Sequence, residues 1–429
     1  MAETSAHAHS SPAGKISLEE ERHATLALIQ EATRSLPTWV EQSVKNEETY
    51  PHGLLQFLLK EDRSTEDPTP LDHATKILDH LAKRPTRDSL GGGFHQTSSR
   101  GIKRLSDNAL LLKGYVRAYA YRGNIFYRKI AEELTAFVIR EMRESRHLFW
   151  TAIGLPCDKP TCAWGMENGS FYFWTLEEII RVFGPEKAPL FLKVYTMKPP
   201  SLLALEGSPF SGLSHLQHTL FVRRNRRVKP APHREIQPGL NGLMIGALAT
   251  SGSQLKRGSD IESARRAAEA ILKHFPPETC LKQRFSNPSF SDTASLADYA
   301  YLAEGLLDLF EITKEPPLLA SVESVVNHAV TCFWNTSQGS FGHPLPNKGI
   351  PLVQSSSDLP EPAGILTGVL FRLGNLTQTP RYTKLAWRSL TEFQDTRRGD
   401  RLATLPFSEV ATWASAAIDA LGSDRENTE

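Results

Sequence analysis

The chain has 429 residues, of which 40% are hydrophobic and 23% are charged, the usual balance of a soluble globular protein. Its 49 Lys and Arg residues against 48 Asp and Glu residues give a formal charge of +1, which argues against a nucleic-acid or membrane partner. No stretch approaches the roughly 20 consecutive apolar residues of a transmembrane helix.

Both ends of the chain are predicted to be polar tails. Residues 1–17 lack the apolar segment of a secretory signal, so we expect a disordered tail there and a cytoplasmic protein. A second tail is predicted at residues 422–429. Cys157 and Cys162 are separated by four residues, a spacing that matches neither a redox dithiol nor a zinc knuckle. We therefore expect reduced thiols.

Helical hairpins recur along the chain, each with an apolar first helix and a charged second helix. Further helices are predicted at residues 18–36, 71–83, 175–184 and 408–421. The chain is thus predicted to be all-α, with about six hairpins closed into one (α/α)6 toroid over residues 18–421. An open helical solenoid is the alternative. The four clearest hairpins lie at residues 107–142, 241–275, 296–334 and 362–393.

Short glycine-rich and aromatic segments connect the hairpins and predict tight turns or short β-hairpins. They are LGGGFH (90–95), GSFYFW (169–174) and GSFGHP (339–344). The first does not fit a phosphate-binding loop, because no strand precedes it and no Gly-Lys-Ser/Thr follows. We expect at least one of Gly91 to Gly93 to have a positive φ, so that the turn places Phe94 and His95 over one end of the ring.

The order of these segments resembles a known family. LGGGFH, DNALLLKGYVRAY, GSFYFWTLEEI, NGLMIGALA and LADYAYLAEGLLDLFEIT follow one another as in the C-terminal helical domain of the thioredoxin-domain-containing, spermatogenesis-associated family. That domain is similar to six-hairpin glycosidases and N-acylglucosamine 2-epimerases. The resemblance covers about residues 50–400 and implies an (α/α)6 fold. It does not extend to the family's thioredoxin-like domain, and several polar motifs are replaced; Leu240, for example, stands where the family has tryptophan.

Polar residues at the starts of the inner helices are candidates for catalysis, because these ends surround the central cavity of such a ring. Asp107 and Asn108 open one inner helix and Asn241 opens another, although a helix cap explains them equally well. Asp298 lies within the apolar helix ASLADYAYLAEGLL, where a carboxylate is costly to bury unless it is paired or hydrated. We expect Asp298 to face the cavity with Tyr299 or Asp107.

Two histidines follow glycine-rich turns, in GGGFH and GSFGH. Two imidazoles at a cavity mouth would suit proton exchange at a sugar carbon, although a loop histidine without a role fits the same pattern. Two glutamates are further acidic candidates. The predicted catalytic residues are Asp298, Asp107, His95, His343 and Glu361.

Aromatic and amide side chains near the same ends are candidates for holding a sugar ring, although an aromatic run is equally typical of a core. The basic run RRNRRVK at 223–229 is predicted as an exposed loop, with an anion patch or nuclear signal as alternatives. No metal-ligand spacing is present, so neither a metal nor a cofactor is predicted. The predicted substrate-binding residues are Asn108, Tyr115, Glu167, Tyr172, Trp174, Asn241 and Tyr299.

The first functional hypothesis is an (α/α)6 enzyme that performs acid–base chemistry on a carbohydrate-like or other small polyfunctional molecule. It would be an isomerase or epimerase, or a glycosidase, in carbohydrate or specialised metabolism. Hydrolysis needs two carboxylates roughly 5 to 9.5 Å apart, which Asp298 with Asp107 or Glu361 would supply. The alternative is a non-catalytic binding or scaffold protein that has lost the family's polar site residues.

Overall fold

The structure, a computed structural model, describes residues 18–46, 49–61, 67–96, 101–154, 169–198, 202–205, 214–276, 294–342, 359–396 and 406–426. Most of these residues are helical. None of the described helices is long and apolar enough to cross a membrane. A π-helical turn, Val138–Met142, continues the fifth helix. The α-helices are α1 (Leu18–Lys45), α2 (His52–Glu61), α3 (Thr69–Lys83), α4 (Leu105–Arg122), α5 (Ile125–Phe137), α6 (Gly169–Tyr172), α7 (Leu176–Leu192), α8 (Ser214–Arg224), α9 (Pro238–Gln254), α10 (Gly258–His274), α11 (Leu296–Thr313), α12 (Pro316–Phe333), α13 (Pro362–Thr377), α14 (Pro380–Thr396) and α15 (Phe407–Glu426).

Six of these helices form a closed inner ring. Packing runs from α2 to α4, α9, α11, α13 and α15, and α15 returns to α2. The helices α1, α3, α5, α10, α12 and α14 pack outside it, each against one or two inner helices. The inner helices α9, α11 and α13 are apolar and largely buried, whereas α10 and α14 are strongly amphipathic. The fold is therefore the predicted (α/α)6 toroid.

The four clearest hairpins are confirmed, with ends that agree with the predicted bounds to within a few residues. The assignment of the remaining elements is different. The helix predicted at 175–184 is α7, which lies outside the ring, and the sixth inner helix is instead α2. The sequence of α2, HGLLQFLLKE, has ten residues with the apolar residues grouped in LLQFLL, which is too short for its periodicity to distinguish a helix from a strand.

Small residues allow neighbouring inner helices to pack closely. Gly242 of α9 faces Gly305 of α11, and a Cβ placed on Gly305 would lie 1.9 Å from the Gly242 carbonyl oxygen. Such a contact can be made only by residues without a side chain. The glycines in NGLMIGALA and YLAEGLL thus bring the two helices together.

The strands are short and lie in the connections. They are β1 (Lys103–Arg104), β2 (Ala152–Ile153), β3 (Tyr195–Lys198), β4 (Leu202–Leu205), β5 (Pro232–His233), β6 (Trp334–Asn335) and β7 (Ser340–Phe341). The antiparallel order β1-β2-β5 forms one sheet, and β3-β4 and β6-β7 are two-stranded hairpins.

Two of the glycine-rich connections form β-structure as predicted. In LGGGFH, Phe94 makes an antiparallel bridge with Arg87. GSFGHP begins in the β6–β7 hairpin. GSFYFW differs, because its first residues form the short helix α6.

The segment between the π-helical turn and α9 adds a small second core beside the ring. Its side chains pack around Trp174, Phe191 and Tyr195, with Leu220 from α8. Because α8 ends against the connection that precedes α4, the segment brings Arg224 to residues 88–91. The ring and this added core together enclose the site described below.

Charged side chains cross the interior of the ring. Lys113 of α4 donates to Asp308 of α11 at 2.6 Å and lies 3.2 Å from Glu304. Since α9 separates α4 from α11 in the ring, these ion pairs span the interior. Arg372 of α13 also donates to Asp308, at 2.8 Å. We refer to Lys113, Glu304, Asp308 and Arg372 as the axial charge cluster.

Candidate functional site

Two predicted substrate-binding residues have the same structural task. The side-chain oxygen of Asn108 accepts from the Phe94 N–H at 2.7 Å, and its amide nitrogen donates to the Phe94 carbonyl at 3.1 Å. Asn241 binds Phe149 in the same way, at 2.9 and 3.1 Å. Each amide also donates to a carbonyl one helical turn back. Both asparagines therefore fasten a connection to the first turn of an inner helix.

Asp298 and Glu361 both cap inner helices. Asp298 forms a capping box with Ser295, whose N–H and hydroxyl donate to its Oδ2 at 2.9 and 2.8 Å. Glu361 accepts from the backbone N–H groups of Ala363 and Gly364 at 3.1 and 2.6 Å. These contacts give each carboxylate a structural role at the start of its helix, and their predicted catalytic roles stay predictions.

Asp107 forms a buried pair with a histidine that the sequence analysis does not single out. His52, the first residue of α2, has its Nε2 3.2 Å from Asp107 Oδ1. The two side chains are only 1% and 5% exposed. The other histidine nitrogen, Nδ1, and the other carboxylate oxygen, Oδ2, have no hydrogen-bond partner in the described part of the chain. One polar atom on each group thus stays open for proton exchange.

Two predicted binding tyrosines lie in the hydrophobic core. Tyr115 is fully buried, and its hydroxyl donates to the Leu78 carbonyl at 2.8 Å. Burial raises the pKa of Tyr115 well above its ordinary value. Tyr299 is buried and packs its ring against Phe333 at 5.6 Å between centroids.

The connection between α3 and α4 contains a buried ionic centre. Asp88 accepts from Lys103 Nζ at 2.6 Å on one oxygen and from Arg224 Nη1 at 2.8 Å on the other. Burial by itself raises the pKa of Asp88, but these two cations outweigh it and hold the pKa well below the ordinary range. Burial lowers the pKa of Lys103 to about 8 despite the carboxylate. We call Asp88, Lys103 and Arg224 the Asp88 centre.

The three consecutive glycines are required by this centre and by the turn around it. Gly92 and Gly93 have φ of 78° and 82°, which confirms the predicted left-handed turn. Gly91 has a different role: a Cβ there would lie 1.9 Å from Arg224 Nη2. The first glycine makes room for the guanidinium, and the other two supply the backbone conformation.

His95 is buried beside the Asp88 centre. Its ring packs edge-on against Tyr172 at 4.4 Å between centroids, and the Tyr50 hydroxyl donates to its carbonyl. Burial, reinforced by the charge of Lys103, lowers the pKa of His95 to about 3, so the imidazole is neutral at neutral pH. His95 and Tyr172 line a small cavity together with Trp174.

The low pKa of His95 predicts a specific loss of stability in acid. The unfolded chain takes up this proton below the ordinary value of 6.5, whereas the folded chain stays neutral until about pH 3. The stabilisation is therefore complete above pH 6.5 and decreases as the pH falls. Between pH 7 and pH 5 the loss from His95 alone is about 2 kcal/mol.

Urea unfolding of the wild type and of His95→Gln at pH 7 and pH 5 measures this contribution. The variant is expected to lose less stability over this interval, whatever its stability at pH 7. Equal losses in the two proteins would show that His95 is protonated in the folded state.

Two predicted site residues, Glu167 and His343, lie outside the described residues. In the described ranges no group of three or more His, Cys, Asp or Glu side chains is arranged to hold a metal ion. The prediction that 223–229 is an exposed loop is wrong for Arg224, which is only 3% exposed. It is also wrong for Arg227, which stacks over Trp174 with 4.1 Å to the ring centroid.

Sequence reasoning misses His52 and the Asp88 centre. A histidine before a short apolar run gives no periodic signal, and Asp88 meets Lys103 and Arg224 across 15 and 136 positions of the chain. The sequence does contain one signal, the three consecutive glycines Gly91 to Gly93. Three glycines in succession indicate that another part of the chain packs closely against the backbone there.

Comparison with solved structures defines the structural class. Cellobiose 2-epimerase from Spirochaeta thermophila superposes with a TM-score of 0.58 over 95% of this chain and 99% of that protein, at 13% identity. A GH76 α-mannanase from Bacteroides thetaiotaomicron gives 0.58 over 94% and 97%, at 9% identity. Identities this low show the fold alone, and it is that of the (α/α)6 glycosidases and epimerases.

Sequence comparison points to one group of relatives. Spermatogenesis-associated protein 20 from Homo sapiens is 23% identical over 326 aligned residues, which cover 62% of this chain and 41% of the human protein. The Mus musculus protein gives the same identity and coverage. This homology confirms the resemblance seen in the order of the motifs, over less than half of the relatives' length. No protein-family model matches the chain.

Proposed function

We propose that the protein is an acid–base enzyme that acts on a carbohydrate-like small molecule, with His52 and Asp107 as the proton-transfer pair. The observation that carries this proposal is the buried contact between them at 3.2 Å, at the starts of two neighbouring inner helices. Glycosidases and epimerases share the fold, which is consistent with this kind of chemistry.

The pair has the groups that general acid–base catalysis needs. When Nε2 of His52 carries the proton, it donates to Asp107, and the lone pair on Nδ1 is free to accept a proton from substrate. The carboxylate orients the imidazole and stabilises the imidazolium that forms. His95 is less suited to this role, because a pKa of about 3 makes it a weak base at neutral pH.

The contacts of the other carboxylates favour isomerisation or epimerisation over hydrolysis. Glycoside hydrolysis needs a second carboxyl group beside the scissile bond. Asp298 and Glu361, the predicted partners, accept hydrogen bonds from the starts of their own helices. Removal and return of a proton next to a carbonyl needs only the His52–Asp107 pair. Both members are covered in this structure, so substrate entry requires a local opening of the kind that gates many enzymes.

Proton exchange with solvent tests the proposal. The protein is incubated in D₂O with a panel of neutral and acidic aldoses and ketoses, and deuterium at the carbon next to the carbonyl is followed by NMR. Wild type is expected to incorporate deuterium into at least one sugar. Asp107→Asn and His52→Gln should lower the rate by about 100-fold or more, the usual contribution of a general acid or base.

Asp298→Asn is the matched comparison, because it changes a buried carboxylate at the start of another inner helix. If Asp298 only caps α11, this variant keeps the exchange rate and loses about 1 kcal/mol of stability. If it is catalytic as the sequence predicts, exchange is lost while folding is retained. Absence of exchange with every sugar, combined with release of new reducing ends from glycosides, would replace isomerisation by hydrolysis; absence of both would reject the proposed function.

A further inference from the structure

The small cavity beside the Asp88 centre is lined by four side chains that carry ring or guanidinium nitrogens, together with Asp88 itself, Ser89 and apolar side chains. Its volume is about 10 Å³, enough for one oxygen atom of a ligand or one water. Arg87, His95, Trp174 and Arg224 all contribute to its wall. Each of these residues is at most 5% exposed, so none satisfies its polar atoms in bulk solvent.

Every one of these four residues has a buried nitrogen without a hydrogen-bond partner in the described chain. The atoms are Nη1 of Arg87, Nε of Arg224, Nε1 of Trp174 and one ring nitrogen of His95, whose imidazole also interacts with the Gly101 backbone. Arginine and tryptophan nitrogens can only donate. Leaving a buried donor unpaired is unfavourable, so three obligate donors on residues that line one cavity indicate that an acceptor, either water or a ligand oxygen, binds there.

The local charge indicates that the acceptor is an anion. Asp88 is a single negative charge between the cations of Lys103 and Arg224. Arg87 has its own carboxylate partner, Glu133, at 2.7 Å. The Asp88 centre thus has one positive charge in excess, in a place where water does not screen it. His95 stays neutral beside these cations, which adds a hydrogen-bonding group without adding charge.

We propose that this cavity binds one oxygen of a carboxylate, and that the substrate of the enzyme is accordingly an acidic sugar. A carboxylate carries the single negative charge that balances the excess and presents its oxygen to the guanidinium groups. A phosphate group is larger and, near neutral pH, brings more negative charge than the centre lacks. The proposal that an anion binds here depends only on the residues of the cavity. The proposal that the substrate is an acidic sugar also depends on the proposed function.

The cavity is placed to hold a substrate for the His52–Asp107 pair. Tyr50 joins the two: its hydroxyl donates to the His95 carbonyl, and its ring lies 5.6 Å from the His52 ring between centroids. Phe94, held by Asn108, packs edge-on against Tyr50 at 6.2 Å. Tyr50 and Phe94 are themselves buried, so a sugar acid that reaches from the cavity to the acid–base pair needs the same local opening that the pair requires.

Binding is tested by calorimetric titration and thermal shift with sodium glucuronate, glucose and glucose 6-phosphate at matched ionic strength. Glucuronate is expected to bind and raise the melting temperature, whereas glucose has no effect at the same concentration. Trp174→Phe, which removes one N–H and keeps an aromatic ring over Arg227, should weaken glucuronate binding about tenfold. Trp387→Phe, a change in the outer helix α14, should leave it unchanged.

The outcomes separate this proposal from the proposed function. Equal effects of glucuronate and glucose, or equal affinity in Trp174→Phe and wild type, would overturn the anion site. Tighter binding of glucose 6-phosphate than of glucuronate would overturn the carboxylate assignment. Glucuronate binding without proton exchange in D₂O would keep the anion site and reject the proposed enzyme. Proton exchange on neutral sugars without any binding of glucuronate would keep the proposed enzyme and reject the anion site.

Discussion

Asp308→Asn is expected to lower the free energy of unfolding by about 3 kcal/mol, because it removes the buried carboxylate that Lys113 and Arg372 share and leaves each of them with one carboxylate, Glu304 or Glu311. Asp308 receives hydrogen bonds from both Lys113 and Arg372 and is only 7% exposed in its side chain. Burial by itself raises its pKa, but the neighbouring cations outweigh this and hold the pKa below the ordinary range.

The charges around the ring axis are balanced, which makes the loss of one carboxylate costly. Together with the axial charge cluster, Lys60 pairs with Asp419 at 2.5 Å and Glu311 pairs with Arg372 at 2.8 Å. The charge of Arg117 also acts on Asp308. Among the residues that the structure describes there, four positive side chains thus face four negative ones: Lys60, Lys113, Arg117 and Arg372 against Glu304, Asp308, Glu311 and Asp419.

Glu311→Gln is the matched control for this prediction. It removes a second carboxylate from the same Arg372, but its side chain is 37% exposed, so the expected cost is below about 1 kcal/mol. Adding Lys113→Met to Asp308→Asn restores the charge balance and should recover part of the stability. Chemical denaturation of the four proteins measures these differences. Equal losses in Asp308→Asn and Glu311→Gln, or no recovery in the double variant, would show that charge balance is not what stabilises the ring.

Much of the ring could be predicted from sequence because its helices carry a local signal. Apolar residues recur at three- and four-residue spacing in the outer helices α10, α12 and α14, whereas α9, α11 and α13 are long, mostly apolar segments. The inner helix α2 is missed because it is short and is stabilised by its neighbours α4 and α15 rather than by an amphipathic pattern. The added helices α7 and α8 also have periodically spaced apolar residues. Periodicity therefore predicts that they are helices but not that they lie beside the ring.

The site is harder to predict because its contacts join distant parts of the chain. The sequence shows that the residues at the starts of the inner helices are polar. The structural role of each of these residues is different, and the sequence does not distinguish the roles. Asn108 and Asn241 hold connections, Asp298 caps a helix, and only Asp107 meets a histidine. Arg224 belongs to the basic run at 223–229, whose composition predicts an exposed loop. Only the folded chain places it on Asp88.

Asp88→Asn is expected to be the most damaging single change at the candidate site, at about 3–5 kcal/mol of unfolding free energy. Asparagine keeps an oxygen that can accept from the N–H groups of Leu90 and Gly91, which lie 3.1 and 3.0 Å from the present carboxylate. It removes the charge, so Lys103 and Arg224 are left buried without a counter-ion. Glu133→Gln, the partially exposed partner of Arg87, is the control and should cost about 1 kcal/mol or less.

The cause of this loss can be read from its dependence on anions and on pH. If unpaired positive charge destabilises Asp88→Asn, sulfate should raise the variant's melting temperature more than sodium chloride of equal ionic strength does. Burial already lowers the pKa of Lys103 to about 8, and without Asp88 the pKa must fall further. Since the unfolded chain keeps this proton until about pH 10.5, the variant's stability should rise between pH 7 and pH 9, and rise more than that of wild type. Denaturation curves at both pH values, each with and without sulfate, decide the matter. A stability deficit that neither sulfate nor higher pH reduces would mean that Asp88 stabilises the protein through the geometry of the glycine turn and not through its charge.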